Sequence, residues 1–201
     1  MFSQKYPLME DFYTIQGEGY NTGKAAYFLR LAGCDVGCVW CDVKESWSAE
    51  NHPLVGIDEM LQRIKESGAD KVVVTGGEPA MYDLKPLTDA LRENNLLCYI
   101  ETSGAYALTG DWDWICVSPK KFKAPLPEIL LLANELKVIV YNKSDFDWGE
   151  KKAELINENC LLYLQPEYSV NEKILPQIID YVKTNKRWRI SLQTHKYLGV
   201  R

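Results

Sequence analysis

Short runs of β-branched and aromatic residues alternate along the chain with segments of helical periodicity. Seven runs have the length and composition of β-strands: residues 26–31, 71–75, 97–101, 114–117, 136–141, 161–165 and 188–192. Between several of them, apolar residues follow the i, i+3, i+4, i+7 spacing of an amphipathic helix. This alternation predicts an α/β fold with a mainly parallel sheet and outer helices, either an open doubly wound sheet or a partial barrel.

The helical positions are unevenly distributed between the predicted strands. They are Ile57, Met60, Leu61 and Ile64 with Gly68 as C-terminal cap, then Leu84, Leu87 and Leu91, then the stretches 153–156 and 174–182. Pro176 lies either near a first turn or at a kink. The stretch 106–113 is too short for a full helix, so we expect that some crossovers between strands are not helical.

Polar or glycine-rich residues follow six of the predicted strands. They are Gly33 and Cys34, Gly76 to Pro79, Thr102 to Gly104, Ser118 to Lys120, Gln165 and Pro166, and Gln193 to His195. The carboxyl ends of parallel strands carry the ligand site in such folds, because the loops there converge. Each group alone is also compatible with ordinary loop chemistry, whereas six in succession favour one shared pocket.

Composition limits the class of protein. The chain has 201 residues, a formal charge of −5, 46% hydrophobic and 25% charged residues, which indicates one compact domain over residues 1–201 and argues against disorder. No basic tract is present, so we expect no nucleic-acid partner. Residues 1–10 lack the apolar segment of a secretory signal, and no apolar run approaches the roughly 20 residues of a membrane span. We therefore expect a cytoplasmic protein without a membrane partner.

Three of the six cysteines lie close together, at Cys34, Cys38 and Cys41, with the spacing C-x3-C-x2-C. In a reducing compartment, such cysteines are more often metal ligands than disulfide partners. They could bind an iron–sulfur cluster with one iron left open, bind zinc with a fourth ligand such as His52, or be buried thiols that happen to be close. The remaining cysteines lie in or beside apolar strand patterns and are predicted to be inert core residues: Cys98, Cys116 and Cys160.

This spacing, with Trp40 before the third cysteine, resembles the radical S-adenosylmethionine superfamily. Gly76-Gly77-Glu78-Pro79 resembles the superfamily motif that contacts the amino group of the methionine moiety. Glycines permit a close backbone approach, and a carboxylate suits an ammonium group. The resemblance implies a 4Fe-4S cluster, S-adenosylmethionine, and a single radical SAM domain with the fold of a partial, open TIM-like barrel whose outer helices are reduced.

Within that superfamily the chain resembles the 7-carboxy-7-deazaguanine synthase family nearly from end to end. The matching segments are TIQGEG at 14–19, FLRLAGC at 28–34, SPK at 118–120, ELK at 135–137, LQP at 164–166 and LQTHKYLG at 192–199. The resemblance implies a carbon–nitrogen lyase of queuosine biosynthesis, a tRNA modification pathway. Its reaction is the radical ring contraction of 6-carboxy-5,6,7,8-tetrahydropterin to 7-carboxy-7-deazaguanine, with loss of ammonia.

The same resemblance implies roles for individual residues. Cluster ligands would be Cys34, Cys38 and Cys41. Cofactor contacts would be Trp40, Asp42, Gly76, Gly77, Glu78, Ser118, Pro119, Lys120 and Gln165. Substrate contacts would be Ile15, Gln16, Gly17, Arg30, Thr75, His195 and Arg201. Without the resemblance, Arg30 would be interpreted as a structural ion-pair partner and His195 as a surface histidine.

One departure from the family pattern concerns Mg²⁺. After the third cysteine, members of the family typically have Cys-Asp-Thr or Cys-Asp-Ser, whose hydroxyl helps to hold Mg²⁺, whereas this chain has Cys41-Asp42-Val43. Valine offers no oxygen to a cation that prefers oxygen ligands. We expect the chain either to bind Mg²⁺ more weakly, through Asp42 or water, or to dispense with it, with Lys44 supplying positive charge.

The resemblance also implies partners: a small pterin substrate, an electron donor such as flavodoxin or ferredoxin, and a second copy of the chain in a homodimer. Two other functions stay open at the level of sequence. A glycyl-radical activase would share the cysteines and residues 76–79 but would not need the Gln16 and His195 segments. A non-enzymatic zinc-binding module would share the cysteines alone.

Overall fold

A computed structural model describes residues 4–201, in which nine β-strands form one sheet. The strands are β1 Lys5–Ile15, β2 Ala25–Leu31, β3 Leu54–Gly56, β4 Lys71–Gly76, β5 Leu97–Thr102, β6 Trp114–Val117, β7 Glu135–Val140, β8 Leu161–Pro166 and β9 Trp188–Ile190. Their order in the sheet is β3-β1-β2-β4-β5-β6-β7-β8-β9. The expectation of a single domain over residues 1–201 stays a prediction, and its first three residues lie outside the described part.

The sheet is mainly parallel and open. Strand β2 and strands β4 to β9 pair in parallel, and β1 pairs antiparallel with both β2 and β3. Within residues 4–201, β3 and β9 are the two edges and do not pair with each other. This confirms the predicted α/β class and the open, partial-barrel arrangement. The carboxyl ends of the parallel strands lie along one rim of the sheet.

Within residues 4–201, six α-helices connect or follow the strands. They are α1 Ile57–Ser67, α2 Lys85–Glu93, α3 Pro127–Leu132, α4 Ser144–Ala153, α5 Asn171–Thr184 and α6 Thr194–Leu198. The predicted cap of α1 is confirmed, because Gly68 follows the helix with a φ of 73°, a left-handed conformation that glycine adopts without strain. No helix forms between β5 and β6, as the short stretch 106–113 predicts.

The structure corrects some of the sequence-based predictions. The helix expected at 153–156 is wrong, since α4 ends at Ala153 and a turn follows. The helix begins earlier because the Asp145 carboxylate accepts hydrogen bonds from the backbone N–H groups of Tyr141 and Asn142, both at 2.8 Å, and turns the chain directly after β7. Pro176 lies inside α5 rather than in its first turn. Strands β1 and β3 were not predicted.

The hydrophobic core lies between the helices and one face of the sheet. Alternate residues of β7 point to opposite faces of the sheet. Leu136, Val138 and Val140 are buried in this core. Lys137 and Ile139 line a cavity on the other face. The three cysteines predicted to pack in the core are all buried: Cys98, Cys116 and Cys160. The described residues contain no helix long and apolar enough to cross a membrane.

Candidate active site

A cavity of about 280 Å³ opens at the carboxyl ends of the parallel strands. Of the residues to which the family resemblance gives a cluster, cofactor or substrate role, all except Pro119 line it. These are Ile15, Gln16, Gly17, Arg30, Cys34, Cys38, Trp40, Cys41, Asp42, Thr75, Gly76, Gly77, Glu78, Ser118, Lys120, Gln165, His195 and Arg201. The structure thus brings together residues that are up to 186 positions apart in the sequence, as Ile15 and Arg201 show.

The loop after β2 carries the three clustered cysteines. Backbone hydrogen bonds fix its course: the N–H of Gly33 donates to the Ser46 carbonyl at 2.7 Å, and the N–H of Cys41 donates to the Cys38 carbonyl at 3.1 Å. These bonds fold the loop back on itself, so that the cysteines line the same cavity. A single loop therefore offers three thiols to one ligand.

The chemistry of this donor set fits an iron–sulfur cluster. Burial raises the pKa of the Cys38 thiol to about 11 and also raises the pKa of Cys34, so both carry protons at neutral pH until a metal displaces them. In residues 4–201, no three His, Cys, Asp or Glu side chains converge on a single metal ion. A 4Fe-4S cluster requires a different arrangement, because each thiolate binds a separate iron.

Gly76 and Gly77 hold the end of β4 against the cysteine loop. The N–H of Gly77 donates to the Leu31 carbonyl, and the N–H of Glu78 donates to the Gly33 carbonyl, both at 2.9 Å. A Cβ atom on Gly77 would lie 2.5 Å from the Gly33 oxygen. Gly76 has a φ of 152° and equally lacks space for a side chain. Both positions therefore need glycine for close contact with the backbone of residues 31–33.

Glu78 is buried at the wall of the cavity and ties β4 to β5. One of its carboxylate oxygens accepts from the Ala80 N–H at 3.0 Å and the Thr102 hydroxyl at 2.6 Å. The other accepts from the N–H of Ser103 at 2.7 Å and from the hydroxyl of the same serine. A carboxylate has about four acceptor sites, so protein groups occupy all of them. Glu78 thus fixes the shape of this wall.

An aromatic and basic group lies beside the cysteine loop. Trp40 contacts Phe122 edge to face, with ring centroids 6.1 Å apart, and the Lys120 ammonium lies 5.8 Å from the Trp40 ring centroid. Lys120 also donates to the Ser118 hydroxyl at 2.7 Å. Burial lowers the pKa of Lys120. This wall presents a flat aromatic face and a cation, a combination suited to a nucleoside ligand.

Two arginine side chains, Arg30 and Arg201, also line the cavity. The Glu10 carboxylate pairs with both of them, through Oε1 to Nε of Arg30 at 2.8 Å and through Oε2 to Nη1 of Arg201 at 3.1 Å. A β-bulge between Leu8 and Glu10 sets Glu10 opposite Arg30 across the strand pair. Arg30 is therefore an ion-pair partner and also a cavity residue, with its terminal N–H groups left to bind an anion.

The C-terminal segment closes the cavity next to Gln16 and Gly17. The backbone N–H and the hydroxyl of Thr194 both donate to the Gly17 carbonyl at 2.9 Å. His195 packs so closely on Gly17 that a Cβ atom there would overlap its ring. His195 is thus a cavity residue, in agreement with the family resemblance.

The residues at the usual magnesium position do not fit a strong Mg²⁺ site. Val43 lines the cavity without an oxygen-bearing side chain. Ser46 lies nearby, but its hydroxyl donates to the Val43 carbonyl at 2.7 Å. Asp42 is the carboxylate that remains at this part of the wall. Val43 therefore leaves this part of the cavity wall without the hydroxyl group that members of the family typically have after Cys-Asp.

The floor of the cavity carries a buried polar network that the sequence analysis missed. Lys137 forms ion pairs with Glu18 and Glu101, and Gln193 donates to Glu18 at 2.9 Å. Gln16 donates to Glu101 at 2.8 Å. The available signal was the alternation in β7, where charged residues occupy positions between buried apolar ones. Lys137 must face the cavity if Leu136 and Val138 face the helices.

Comparison with known proteins defines the class. Residues 29–117, which contain the cysteine loop and the two glycines, match the family model of the radical SAM superfamily. The crystal structure of QueE from Escherichia coli superposes with a TM-score of 0.82 at 35% sequence identity, covering 94% of this chain and 93% of that one. The fold is therefore that of a radical SAM enzyme.

Curated relatives narrow the class further. A 7-carboxy-7-deazaguanine synthase from Flavobacterium psychrophilum is 56% identical over 96% of this chain and 92% of its own length. The synthases of Synechocystis and Escherichia coli K12 are 48% and 37% identical, over 100% and 98% of this chain and 96% and 99% of their own lengths. The chain belongs to the 7-carboxy-7-deazaguanine synthase family.

Proposed function

We propose that the chain is a 7-carboxy-7-deazaguanine synthase, a radical SAM lyase of queuosine biosynthesis. It converts 6-carboxy-5,6,7,8-tetrahydropterin into 7-carboxy-7-deazaguanine with loss of ammonia. The observation that carries this proposal is the single cavity, in which the cysteine loop, the two glycines, Arg30 and the C-terminal residues meet although they lie far apart in sequence. The full-length identity to synthases supports it.

The cofactor side of the cavity is assigned to residues whose positions support that role. Cys34, Cys38 and Cys41 would hold the 4Fe-4S cluster, and the wall around Trp40 and Lys120 would contact S-adenosylmethionine. The remaining cofactor contacts are proposed at Asp42, Gly76, Gly77, Glu78, Ser118, Pro119 and Gln165, of which Pro119 does not line the cavity. Because protein groups occupy the acceptor sites of Glu78, its part is to hold the wall against which the cofactor lies. When bound, these cofactors supply the radical that starts the ring contraction.

The substrate side has two kinds of recognition group. Arg30 and Arg201 suit the anionic carboxylate of the substrate, because guanidinium groups donate paired hydrogen bonds. Gln16 and His195, with Ile15, Gly17 and Thr75, line the remaining wall and can bind the ring. The chain's contribution is to bind, orient and exclude water, since an unselective radical must meet one carbon–hydrogen bond of the substrate.

Anaerobic reconstitution with iron and sulfide tests the proposal. We expect broad visible absorption, reductive cleavage of S-adenosylmethionine when the pterin is absent, and, when it is present, conversion of carboxytetrahydropterin to the deazaguanine product with the cofactor regenerated. An activase would cleave the cofactor and leave the pterin unchanged, and a zinc module would show neither the absorption nor the cleavage. Either of these results would overturn the proposed function.

Partners follow from the same proposal. The cluster needs a one-electron donor, and a small electron-transfer protein such as a flavodoxin or ferredoxin has the required chemistry. The homodimer is proposed from the family resemblance alone. Sedimentation and reduction kinetics with purified donors measure these two points separately.

Removal of Mg²⁺ is proposed to have little effect on this enzyme. Because Val43 offers no oxygen, turnover should fall by less than about tenfold when Mg²⁺ is chelated, as expected for a cation without its full set of oxygen ligands. Val43→Thr restores a hydroxyl at this position and should introduce a larger dependence. A tenfold or greater loss in the wild type, reversed when Mg²⁺ is added back, would contradict the proposal.

A further inference from the structure

Lys137 is a buried cation in the interior of the sheet. Its side chain is 3% exposed, and its ammonium group contacts the carboxylates of Glu18 and Glu101, the second at 3.2 Å. Its neighbours along β7, Leu136 and Val138, point into the hydrophobic core. Lys137 therefore belongs to the face of β7 that lines the cavity.

Stability alone does not explain a cation at this position. Taking an ammonium group and two carboxylates out of water costs more than their attraction typically returns, and apolar residues of similar volume often stabilise such a site equally well. A buried lysine between two carboxylates therefore indicates that the ionised carboxylates themselves are needed. Both Glu18 and Glu101 line the cavity.

The hydrogen bonds leave acceptor capacity on both carboxylates. Gln193 donates to one oxygen of Glu18 and Gln16 to one oxygen of Glu101, while Lys137 contacts the second oxygen of each. Gln165 is a further hydrogen-bond partner of Glu18. A carboxylate has about four acceptor sites, so about one on Glu18 and two on Glu101 are left. The cavity floor thus presents two adjacent acceptors for N–H groups of a ligand.

The electrostatic effect of Lys137 on Glu18 supports this geometry. Burial by itself raises the pKa of Glu18, but the Lys137 ammonium and the hydrogen bonds to the carboxylate outweigh burial and lower the pKa to about 2. Without the lysine, two carboxylates that share one contact atom would repel each other, and one would take up a proton. A protonated carboxyl group would then present a donor where the ligand needs an acceptor.

We propose that Lys137 is a positioning residue that holds the carboxylates of Glu18 and Glu101 side by side, so that together they accept hydrogen bonds from adjacent N–H groups on one edge of the substrate ring. The ligand class is a planar heterocycle with a 2-amino group next to a ring N–H, as in a pterin or a guanine. The inference rests on the proposed function, because the pterin substrate of that function carries a 2-amino group next to a ring N–H.

The variant Lys137→Met tests the inference in the anaerobically reconstituted holoenzyme. We expect the KM for carboxytetrahydropterin to rise by at least about tenfold, as for loss of a buried charged hydrogen-bond partner, and kcat to fall by a smaller factor. Lys71→Met is the matched control: Lys71 is also a strand lysine in an ion pair, with Asp70, but it lies at the opposite end of β4 from the cavity. Its KM should equal that of the wild type.

A binding measurement separates positioning from a purely structural role. Calorimetry compares 7-carboxy-7-deazaguanine with its analogue lacking the 2-amino group, in the wild type and in Lys137→Met. We expect the wild type to prefer the amino ligand by at least about tenfold and the variant to lose most of this preference. An equal loss of affinity for both ligands, or an unchanged preference, would overturn the inference.

Glu18→Gln provides a second route if Lys137→Met does not fold. It leaves the pair of Lys137 with Glu101 intact but replaces an acceptor by an amide that can turn a donor towards the ligand, so the same loss of preference is expected. A preference within twofold of the wild-type value would overturn the inference. Failure of the proposed function is recognised separately, because the wild type itself would then not convert the pterin.

Discussion

At the scale of single residues, the six cysteines divide into two groups by position. Cys34, Cys38 and Cys41 line the cavity, whereas Cys98, Cys116 and Cys160 are buried in strands or beside them. Replacing any member of the first group by alanine should abolish cluster binding and turnover, because a cluster held by one loop loses a ligand. Visible absorption after reconstitution measures the cluster, and product formation measures turnover.

Cys98→Ala is the matched control for these variants. Cys98 is fully buried next to Thr88 and Leu96, so the change should cost roughly 1–2 kcal/mol of stability and leave the cluster in place. An intact cluster with normal activity in Cys34→Ala, Cys38→Ala or Cys41→Ala would refute the assignment of ligands.

Glu10 is a second residue whose role is local. Its carboxylate holds Arg30 and Arg201, so Glu10→Gln removes the charge that orients both guanidinium groups. Because the pairs are partly exposed, the KM for the carboxylated substrate should rise by only about two- to fivefold. Glu59→Gln breaks an exposed pair with Arg63 on α1 and should leave KM unchanged. An effect of equal size in both variants would contradict an orienting role.

At the scale of elements, the end of β4 packs closely against the cysteine loop. Gly77→Ala places a methyl group 2.5 Å from the Gly33 carbonyl oxygen and 2.7 Å from Cys34 Cβ. Backbone on one side and a cluster ligand on the other leave little room for adjustment, so S-adenosylmethionine binding and cluster retention should both fall sharply. Equilibrium dialysis with labelled cofactor and iron analysis measure the two effects.

Gly56→Ala makes the same chemical change where nothing lies within 4 Å of the new methyl group. Gly56 precedes α1 as its N-cap, so the variant should lose about 1 kcal/mol of stability and retain cofactor binding. Equal cofactor binding in the two alanine variants would contradict the role given to Gly77.

The sequence predicts elements where one physical signal dominates. Val72 to Val74 and Leu162 to Leu164 lie in strands because β-branched and apolar runs have few alternatives. Strand β1 was missed because Pro7, Glu10 and Asp11 interrupt its apolar pattern. The start of α4 was missed because it depends on hydrogen bonds of the Asp145 side chain, which periodicity does not register.

In the candidate site, too, the features with a local sequence signal were predicted and those formed by long-range contacts were missed. Cysteine spacing and the paired glycines are local in sequence, and both were found. The network around Lys137 was missed because its partners Glu18 and Glu101 are 119 and 36 residues away, so that only the fold brings them together. Long-range ion pairs of this kind carry no local pattern beyond the alternation of charged and apolar residues in β7.

At the scale of the whole molecule, buried charge couples stability to pH. The pKa of Glu18 is about 2 in the folded chain, below its ordinary value of 4.5. A lowered pKa adds stability that is fully present above pH 4.5 and is lost as the pH falls towards 2. The difference in free energy of unfolding between wild type and Glu18→Gln should therefore shrink as the pH falls over this range.

Denaturant titrations at several pH values measure this difference. Glu158→Gln, at an exposed glutamate, serves as the control and should differ from the wild type by less than about 0.5 kcal/mol at every pH. A difference for Glu18→Gln that stays constant down to pH 2.5 would contradict the folded-state pairing of Glu18 with Lys137.

The central claim is that one cavity holds a cluster, S-adenosylmethionine and a carboxylated pterin, and contracts the pterin ring. The most direct test is quantitative mass spectrometry of the reconstituted chain with 6-carboxy-5,6,7,8-tetrahydropterin, together with an assay for ammonia. We predict 7-carboxy-7-deazaguanine and ammonia in equal amounts, with S-adenosylmethionine recovered intact because the cofactor is regenerated. Cleavage of S-adenosylmethionine with unchanged pterin and no ammonia would contradict the account.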